Sequence, residues 1–481
     1  MDLTSLHFLF LFLPLFTLLY LVPHRELRLL LITIASLVFL AWGGLNALRW
    51  LSLILLTAYF VGLSLSSEKG KGKAIWLWIG VGINLGLLSL FKIYTAYGPE
   101  LIAMSGFPDS LRQPFSSLTV PIGISFVTFQ AISYLVDVRR GTIPAERNLL
   151  RFAAYLFFFP KLVSGPLMRY GPFVNQLYEV DPSLEDMAAG IRRLFLGFIK
   201  RTLIANQVAV LANAVFNQPL PTVAPHFAWL ALLAYALQIY FDFAGYTDMA
   251  IGLGLMVGIR LPENFNHPYI ARSVSDFWRR WHMTLTAWFR EYVFYPLERR
   301  RFRWGGQQIN ILIVFMLTGL WHGFRPAYLA WGLLHGLALA MESLGFGRWL
   351  SRLWRPLQHI YALTIVLIGW VLFRSDNLPF AAAFFRRLAG DTTGLAPLPF
   401  SQTTPLPFAD PSVVLAIIAG ILFSIPLASL WAPRKTEIEH AAPAPQILFQ
   451  AVNDFVLVAL FILGLAASLS QTFLPNIYAA F

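Results

Sequence analysis

Cysteine is absent from this sequence, and only 12% of its residues are charged. The lack of cysteine excludes disulfides, thiolate metal sites, iron–sulfur clusters and a cysteine nucleophile, but it says nothing about compartment. The Gly-x-Ser-x-Gly, His-Glu-x-x-His and phosphate-loop motifs are also missing, which argues against a soluble hydrolase, a zinc protease and a nucleotide-driven pump. No basic segment precedes the first apolar run and no small-residue cleavage site follows it, so we expect no signal peptide.

Long apolar runs dominate what is present. Apolar residues make up 57% of the 481, and several runs reach the roughly 20 residues that span a bilayer as a helix. The net charge of +12 comes from Lys and Arg in short loops between these runs. No basic domain stands apart, so we expect no nucleic-acid partner. The sequence therefore predicts an all-α polytopic membrane protein, a single integral membrane domain over 1–481.

We count eleven to thirteen membrane helices plus one or two interfacial helices. The runs lie at 7–22, 27–42, 50–65, 74–96, 118–138, 149–163, 229–259, 309–322, 328–341, 359–373, 411–430 and 449–468. The mixed segment 184–216 is either a span with snorkelling ends or an interfacial helix. Three connections are basic: Arg25 with Arg28, the stretch 69–73, which is expected to be a flexible loop, and 139–140. Basic loops face the cytoplasm, so we expect the N-terminus outside; Arg49, which would then lie at the outer side, is the one residue against this orientation. The Pro-rich stretch 395–411 is expected to be a loop.

One amphipathic helix is predicted from Ser273 to Leu297. Its apolar residues recur at three- and four-residue spacing, arginines interrupt any lipid-facing run, and Ser273 with Asp276 forms a helix start signal. His282 lies at the edge of the apolar stripe. In the run 229–259, the spacing Gly254-x-x-x-Gly258 permits close helix contact.

Histidines in apolar surroundings are the main candidates for chemistry. His322 ends the run 309–322, where an ionisable group is costly, and a neutral imidazole can both accept and donate a proton near pH 7. The residues alone equally allow a packing histidine bonded to a backbone carbonyl. His282, near an interface, is more often structural than catalytic. His335 is expected to lie at a close helix contact.

Other polar residues also have two interpretations. Asp242 and Asp248 do not share a helical face; they either pair with Arg or Tyr side chains, which is favoured, or belong to an ion path. Trp278, Arg279 and Arg280 either serve a site or anchor a helix at the membrane interface.

A set of ordered motifs then becomes recognisable. Val-Pro-Ile-Gly-Ile-Ser-Phe at 120–126, Phe-Pro-Lys-Leu-Val-Ser-Gly-Pro at 159–166, Tyr-Phe-Asp-Phe-Ala-Gly-Tyr-Thr-Asp-Met-Ala at 240–250 and Pro-Glu-Asn-Phe-Asn-His-Pro-Tyr at 262–269 precede the two histidine stretches. Together they resemble the membrane-bound O-acyltransferase family. Its alginate O-acetyltransferase branch looks nearest, with the teichoic acid D-alanyl transfer proteins more distant. The motifs cover 118–336, about half of the chain.

The resemblance implies a helical fold around a tunnel that crosses the membrane, with N-terminal spans at 1–110, a catalytic core at 111–345 and C-terminal spans at 346–481. His322 falls on the family's near-invariant histidine, expected to be the general base. His282 falls on a second polar position, often Asn in eukaryotic members, and is expected to act in catalysis or in positioning the substrate. We expect tunnel or substrate contacts from Trp321, Trp278, Asp242 and Asn264. From charge alone, Arg279 and Arg280, with 299–301, suit the phosphates of coenzyme A.

The function expected from this resemblance is acetyl transfer. Acetyl-CoA would serve as co-substrate, with no permanently bound cofactor and no metal. The protein would lie in the bacterial inner membrane, contact its lipid, and pass acetyl to a serine of a periplasmic partner acetyltransferase that modifies alginate or a similar exopolysaccharide. Two alternatives stay open: acyl transfer to another wall or capsule polymer, as in D-alanyl transfer to teichoic acid, and an acyl transporter without chemistry that uses the histidines and aspartates as a proton path.

Overall fold

The computed structural model describes residues 1–21, 25–104, 120–178, 182–301, 303–395, 410–427 and 443–470. These residues form helices and no strands, so the predicted all-α class is confirmed. The expected boundary near residue 110 and nearly all of the expected loop 395–411 lie outside the described residues.

The helices follow one another with short connections. We number the main ones α1 Phe8–Leu21, α2 Arg25–Trp42, α3 Leu45–Ser67, α4 Lys71–Met104, α5 Ile124–Arg140, α6 Leu149–Phe157, α7 Tyr170–Tyr178, α8 Leu184–Phe216, α9 Pro225–Met256, α10 Val274–Arg280, α11 Met283–Phe289, α12 Gly306–His322, α13 Pro326–Met341, α14 Arg355–Arg374, α15 Leu378–Leu388, α16 Pro411–Phe423 and α17 Pro443–Ser470. Helix α15 was missed in the sequence. Helix α4 begins at Lys71, so the prediction of a flexible loop over 69–73 was wrong for residues 71–73.

Seven helices in the described part of the chain are long and apolar enough to span a membrane, and three shorter apolar helices accompany them. The segment 184–216 is one of the seven, which favours a span over an interfacial helix. These ten are fewer than the eleven to thirteen spans counted from the sequence. Helix α5 starts only at Ile124, α12 has 17 residues, and the run 149–163 breaks at the non-helical Phe158, just ahead of Pro160.

Glycines bring α8 and α9 into backbone contact. A Cβ atom at Gly245 would lie 2.6 Å from the carbonyl oxygen of Gly197, and one at Gly252 would lie 2.5 Å from that of Gly190. The contact predicted for Gly254-x-x-x-Gly258 was wrong. Helix α9 ends at Met256, Gly258 lies beyond it at φ +78°, and Gly254 faces the carbonyl of Ile259 within the same turn.

Gly245→Ala is therefore expected to destabilise the protein by about 1–3 kcal/mol, because the added methyl meets backbone atoms that cannot move aside. Gly82→Ala is the matched control, since a Cβ atom there has nothing within 4 Å and alanine favours the helix. Thermal unfolding in detergent measures both. Equal melting temperatures for the two variants would refute the close contact.

A buried ion-pair network ties the N-terminus to α8 and α9. The Arg201 guanidinium is 1% exposed and lies 3.0 Å from a carboxylate oxygen of Asp242 and 2.8 Å from one of Asp2. The Asp248 carboxylate forms ion pairs with two basic side chains of α8, each with a nitrogen–oxygen distance of 2.6 Å. The pairing expected for Asp242 and Asp248 is thus confirmed, whereas a tunnel role of Asp242 stays a prediction.

The segment 273–297 is not one helix. Ser273 does cap α10, accepting a hydrogen bond from the Asp276 amide at 3.0 Å, as predicted. The helix then stops, and His282 adopts the left-handed conformation at φ +42° before α11 begins. The local hydrophobic pattern is overridden because the break pairs with the preceding loop: the Asn266 amide donates to the Arg280 carbonyl at 2.9 Å, and the amide after His282 donates to the Asn264 carbonyl at 2.9 Å.

The N-terminus and the basic residues 139–140 lie at opposite ends of α5. A Cβ atom at Gly43 would lie 3.5 Å from Ile122, which precedes α5, and 3.8 Å from the nitrogen of Met1. Arg140, at the other end of α5, pairs with Glu291 at 2.7 Å. The N-terminus therefore lies near the end of α5 that is opposite to the basic residues 139–140.

Candidate active site

His322 is the last residue of α12, where the chain turns back into α13. A Cβ atom at Gly319 would lie 2.4 Å from the carbonyl oxygen of Tyr328, and one at Gly332 would lie 2.4 Å from that of Phe315. The small residues beside His322 thus admit a neighbouring helix. This close α12–α13 hairpin therefore places His322 at the turn between two tightly packed helices.

Aromatic rings surround the His322 imidazole. Ring centroids lie 4.6 Å away for Trp321, 4.8 Å for Phe373 and 5.1 Å for Trp331. The residue is 5% exposed. Such a wall keeps water away from a reacting group, which limits hydrolysis of a thioester.

Lys92 of α4 approaches the same place from the other side. Its side-chain nitrogen lies 3.5 Å from the carbonyl oxygen of His322, and the residue is buried. The carbonyl groups at a helix C-terminus lack partners within the helix, so an amino group that donates to one of them helps to cap α12. Lys92 was not predicted from the sequence, although a lone lysine in the apolar run 74–96 is a signal that could have found it.

His282 is held by Asn264. The Asn264 Oδ1 atom lies 3.1 Å from His282 Nδ1, and it also lies 3.2 Å from the Thr284 amide nitrogen and 2.9 Å from the Thr284 hydroxyl. A backbone amide can only donate, so the shared atom is the amide oxygen and His282 Nδ1 must carry a hydrogen. This tautomer leaves the Nε2 lone pair able to accept a proton.

Trp321 connects the two histidines. Its ring centroid is 6.4 Å from that of His282, and Phe126 lies 6.1 Å from Trp321 and 6.2 Å from His282. Phe243 closes the other side of the His282 ring at 4.7 Å. The structure therefore brings together four of the predicted site residues: His322, His282, Asn264 and Trp321.

Trp278 lies one layer further out. Its indole nitrogen donates to His335 Nδ1 at 3.4 Å, and Trp331 contacts both Trp278, at 5.7 Å, and His322. A Cβ atom at Gly369 would lie 2.7 Å from His335 Nε2, so His335 lies at a close helix contact, as predicted.

A cavity of about 1090 Å³ lies beside Trp278. Five arginines line it: Arg272, Arg279, Arg280, Arg290 and Arg355. Its wall also includes Trp278 and Thr318, and Thr318 lies one helical turn before His322 on α12. We call it the arginine cavity. Its size reaches the upper end of the range usual for small-molecule sites, about 300–1,000 Å³.

Carboxylates organise part of the arginine cavity. Asp276 pairs with Arg280 at 3.1 Å and with Arg279 at 3.6 Å. Glu342, missed in the sequence, accepts the backbone amides of Val274 at 2.7 Å and Ser275 at 2.9 Å and so anchors α10. Arg299 and Arg300, grouped with Arg279 in the sequence analysis, line a different cavity.

Two further cavities approach the histidines. A lateral groove of about 730 Å³ runs between α4, α5 and α12 and reaches Lys92 and Trp321. A third cavity of about 440 Å³ includes Thr284, which shares Asn264 with His282. Neither His322 nor His282 lines any of these three cavities. A continuous tunnel stays a prediction.

Fold and site together define a multi-pass helical membrane protein that encloses two buried histidines beside a basic cavity. Residues 142–368 match the profile of the membrane-bound O-acyltransferase family. The chain is 39% identical to a probable alginate O-acetylase of Azotobacter vinelandii, over 92% of this chain and 89% of that protein. The chain belongs to the membrane-bound O-acyltransferase family and is an O-acyltransferase.

Relatives with other acceptors are also similar. A peptidoglycan O-acetyltransferase of Helicobacter pylori is 31% identical, over 75% of this chain and 73% of that protein. A teichoic acid D-alanyltransferase of Bacillus subtilis is 32% identical, over 51% of this chain and 64% of that protein. Similarity to proteins that transfer acetyl groups thus extends over more of the chain than similarity to this D-alanyl transferase.

Proposed function

We propose that this chain takes an acetyl group from acetyl-CoA at the cytoplasmic face and transfers it to an acceptor hydroxyl reached from the outer face. The observation that carries this proposal is the arginine cavity, whose wall reaches Thr318, one turn from His322. Guanidinium groups bind phosphates by paired, charge-assisted hydrogen bonds, and coenzyme A carries several phosphates. The acetyl thioester at the other end of the molecule then points toward the aromatic cluster.

His322 is the general base in this mechanism. It takes the proton from the acceptor hydroxyl as the hydroxyl oxygen bonds to the acetyl carbonyl carbon. The carbon–sulfur bond then breaks, and the leaving thiolate takes the proton back from the imidazolium. The products are an acetyl ester and free coenzyme A. His282, oriented by Asn264, positions the donor or assists the leaving thiolate.

The acceptor is a serine of a periplasmic partner acetyltransferase, which modifies alginate or a similar exopolysaccharide. The similarity to an alginate O-acetylase over nearly the whole chain supports this choice. The protein lies in the bacterial inner membrane with its N-terminus in the periplasm. This orientation is supported by the position of Met1 opposite the basic end of α5, because basic loops face the cytoplasm.

The second candidate is acyl transfer to another wall or capsule polymer, including D-alanyl transfer. It is favoured only by the similarity to the peptidoglycan and teichoic acid enzymes. Acyl transport without chemistry has less support, because the Asp242 and Asp248 carboxylates of its proposed proton path are already held in ion pairs. Acyl donors offered in parallel distinguish acetyl from D-alanyl transfer.

Arg279→Ala combined with Arg290→Ala is expected to raise the KM for acetyl-CoA by at least about 100-fold with a smaller change in kcat, because each lost charge-assisted hydrogen bond costs about 1.5–3 kcal/mol and the double variant loses two. Labelled acetyl transfer to the purified partner measures both constants. Arg386→Ala, an exposed arginine of α15 outside the cavity, is the control. An unchanged KM in the double variant would show that the donor binds elsewhere.

A further inference from the structure

The lateral groove follows one face of α4. Its lining residues there fall in steps of three or four, with two adjacent pairs, as on one face of a helix: Ala74, Leu77, Trp78, Val81, Leu85, Leu88, Ser89 and Lys92. At 1.5 Å per residue, this face extends for about 27 Å, close to the thickness of a bilayer's hydrocarbon core. The opposite wall is built from apolar residues of α5, α11 and α12. The groove is therefore a membrane-deep apolar channel along the side of the protein.

One end of this groove is strongly basic. Helices α4 and α5 run antiparallel. A Cβ atom on Gly80 would be 2.7 Å from the Leu135 side chain, whereas the later residue Lys92 reaches His322, whose neighbour Trp321 stacks on the earlier residue Phe129. The Ala74 end of the groove therefore lies next to the end of α5, where four arginines line it: Arg139, Arg140, Arg299 and Arg300.

Among the described residues, three of these four arginines pair with no carboxylate. Arg140 pairs with Glu291 at 2.7 Å, whereas Arg139, Arg299 and Arg300 take part in none of the ion pairs formed within the described ranges. The groove also opens sideways. Trp78 is 71% exposed and Leu85 is 41% exposed, and in a membrane-spanning protein such apolar surface faces lipid. A ligand with an anionic head and an apolar chain matches this arrangement.

The groove is separate from the arginine cavity. Among the described residues, Phe289 alone lines both. The inner wall of the lateral groove nevertheless touches the two histidines through Trp321. Phe129 of this wall stacks on Trp288 at 4.0 Å and on Trp321 at 5.5 Å, and Trp321 contacts both histidines. A molecule bound in the lateral groove would therefore pack against Trp321 on the side facing away from the histidines.

We propose that the lateral groove binds an anionic phospholipid, with its phosphate at Arg139, Arg299 and Arg300 and one acyl chain along α4 against Phe129 and Trp288. The bound lipid excludes water from the flank of Trp321. It acts as a structural ligand, distinct from the acyl donor. This inference does not depend on which acyl group or acceptor the protein uses.

The test is lipid binding by the purified protein in a neutral detergent, followed by native mass spectrometry and thermal unfolding. Phosphatidylglycerol is expected to bind at least tenfold more tightly than phosphatidylcholine and to raise the melting temperature. Arg139→Gln with Arg299→Gln and Arg300→Gln should weaken phosphatidylglycerol binding by roughly fivefold for each arginine. Removing three exposed charges elsewhere, by Arg348→Gln, Arg352→Gln and Arg386→Gln, should leave this binding unchanged.

A second variant tests the apolar part of the site. Leu85→Trp fills the groove without altering charge and should abolish retention of the lipid. Equal affinity for the two lipids in the wild-type protein, which requires no variant to fold, would overturn the proposal. So would equal effects of the two triple variants. Displacement of the lipid by acetyl-CoA at stoichiometric concentration would assign the groove to the donor instead and would equally overturn it.

Discussion

His322→Ala is expected to abolish acetyl transfer, lowering kcat by about 10²- to 10⁴-fold, the usual contribution of a general base. The fold should persist, because the α12–α13 hairpin is held by the close backbone contacts of Gly319 and Gly332, which do not involve the imidazole. The measurement is labelled acetyl transferred from acetyl-CoA to the partner, with the melting temperature recorded on the same preparation.

His335→Ala is the matched control for this prediction. His335 is equally buried and also lies among aromatic rings, but it contacts Trp278 and Gly369 at a helix interface. The loss of the His335 ring should mainly lower the melting temperature, with a smaller relative effect on kcat. If the His322 variant kept more than about a tenth of wild-type activity, His322 would not be the base, since even the lower end of the expected effect is about 10²-fold.

Asn264→Leu is expected to lower both stability and activity sharply. The substitution leaves the His282 ring N–H and both Thr284 donors without their shared acceptor in a buried site. Each unsatisfied buried group costs about 1–3 kcal/mol, so a loss of several kcal/mol is expected. His282 would also lose the hydrogen bond that fixes its tautomer. We therefore expect kcat to fall even at temperatures at which the variant is still folded.

Asn264→Asp tests the same contacts with a side chain that still accepts all three hydrogen bonds, and it should preserve the fold. Asn84→Leu is the control, because Asn84 is equally buried but donates a single hydrogen bond to the Gly80 carbonyl within its own helix. Thermal unfolding and initial rates separate the effects. If Asn84→Leu and Asn264→Leu behaved alike, Asn264 would have no special role in holding His282.

The sequence was sufficient for features that depend on one long segment. The apolar runs 229–259 and 359–373 were predicted as membrane helices from composition and length alone, and they overlap α9 and α14, which are long and apolar enough to span a membrane. The Ser273 cap was predicted because a cap depends on neighbouring residues. The motifs gave the family for the same reason, since they are local and ordered.

Features that depend on distant contacts were not predictable. The helix over 273–297 is interrupted because residues 264–266 pair with 280–283, a tertiary contact that no local periodicity reveals. The α8–α9 contact uses Gly245 and Gly252, seven residues apart, in place of the four-residue spacing singled out in the sequence. A lone lysine in an apolar run could have drawn attention to Lys92, but its contact with His322, like that of Glu342 with the start of α10, depends on tertiary structure. The separation of Arg279 from Arg299 likewise requires the three-dimensional arrangement of cavities.

The central claim is that acetyl groups enter from the face of the arginine cavity and leave at the opposite face. The most direct test uses proteoliposomes with the protein in one orientation, labelled acetyl-CoA on one side and the partner acetyltransferase on the other. We expect transfer only when acetyl-CoA is on the side of Arg279 and Arg290 and the partner is on the side of the N-terminus. The His322→Ala variant should show no transfer in any arrangement. Transfer that required donor and partner on the same side of the membrane would contradict it.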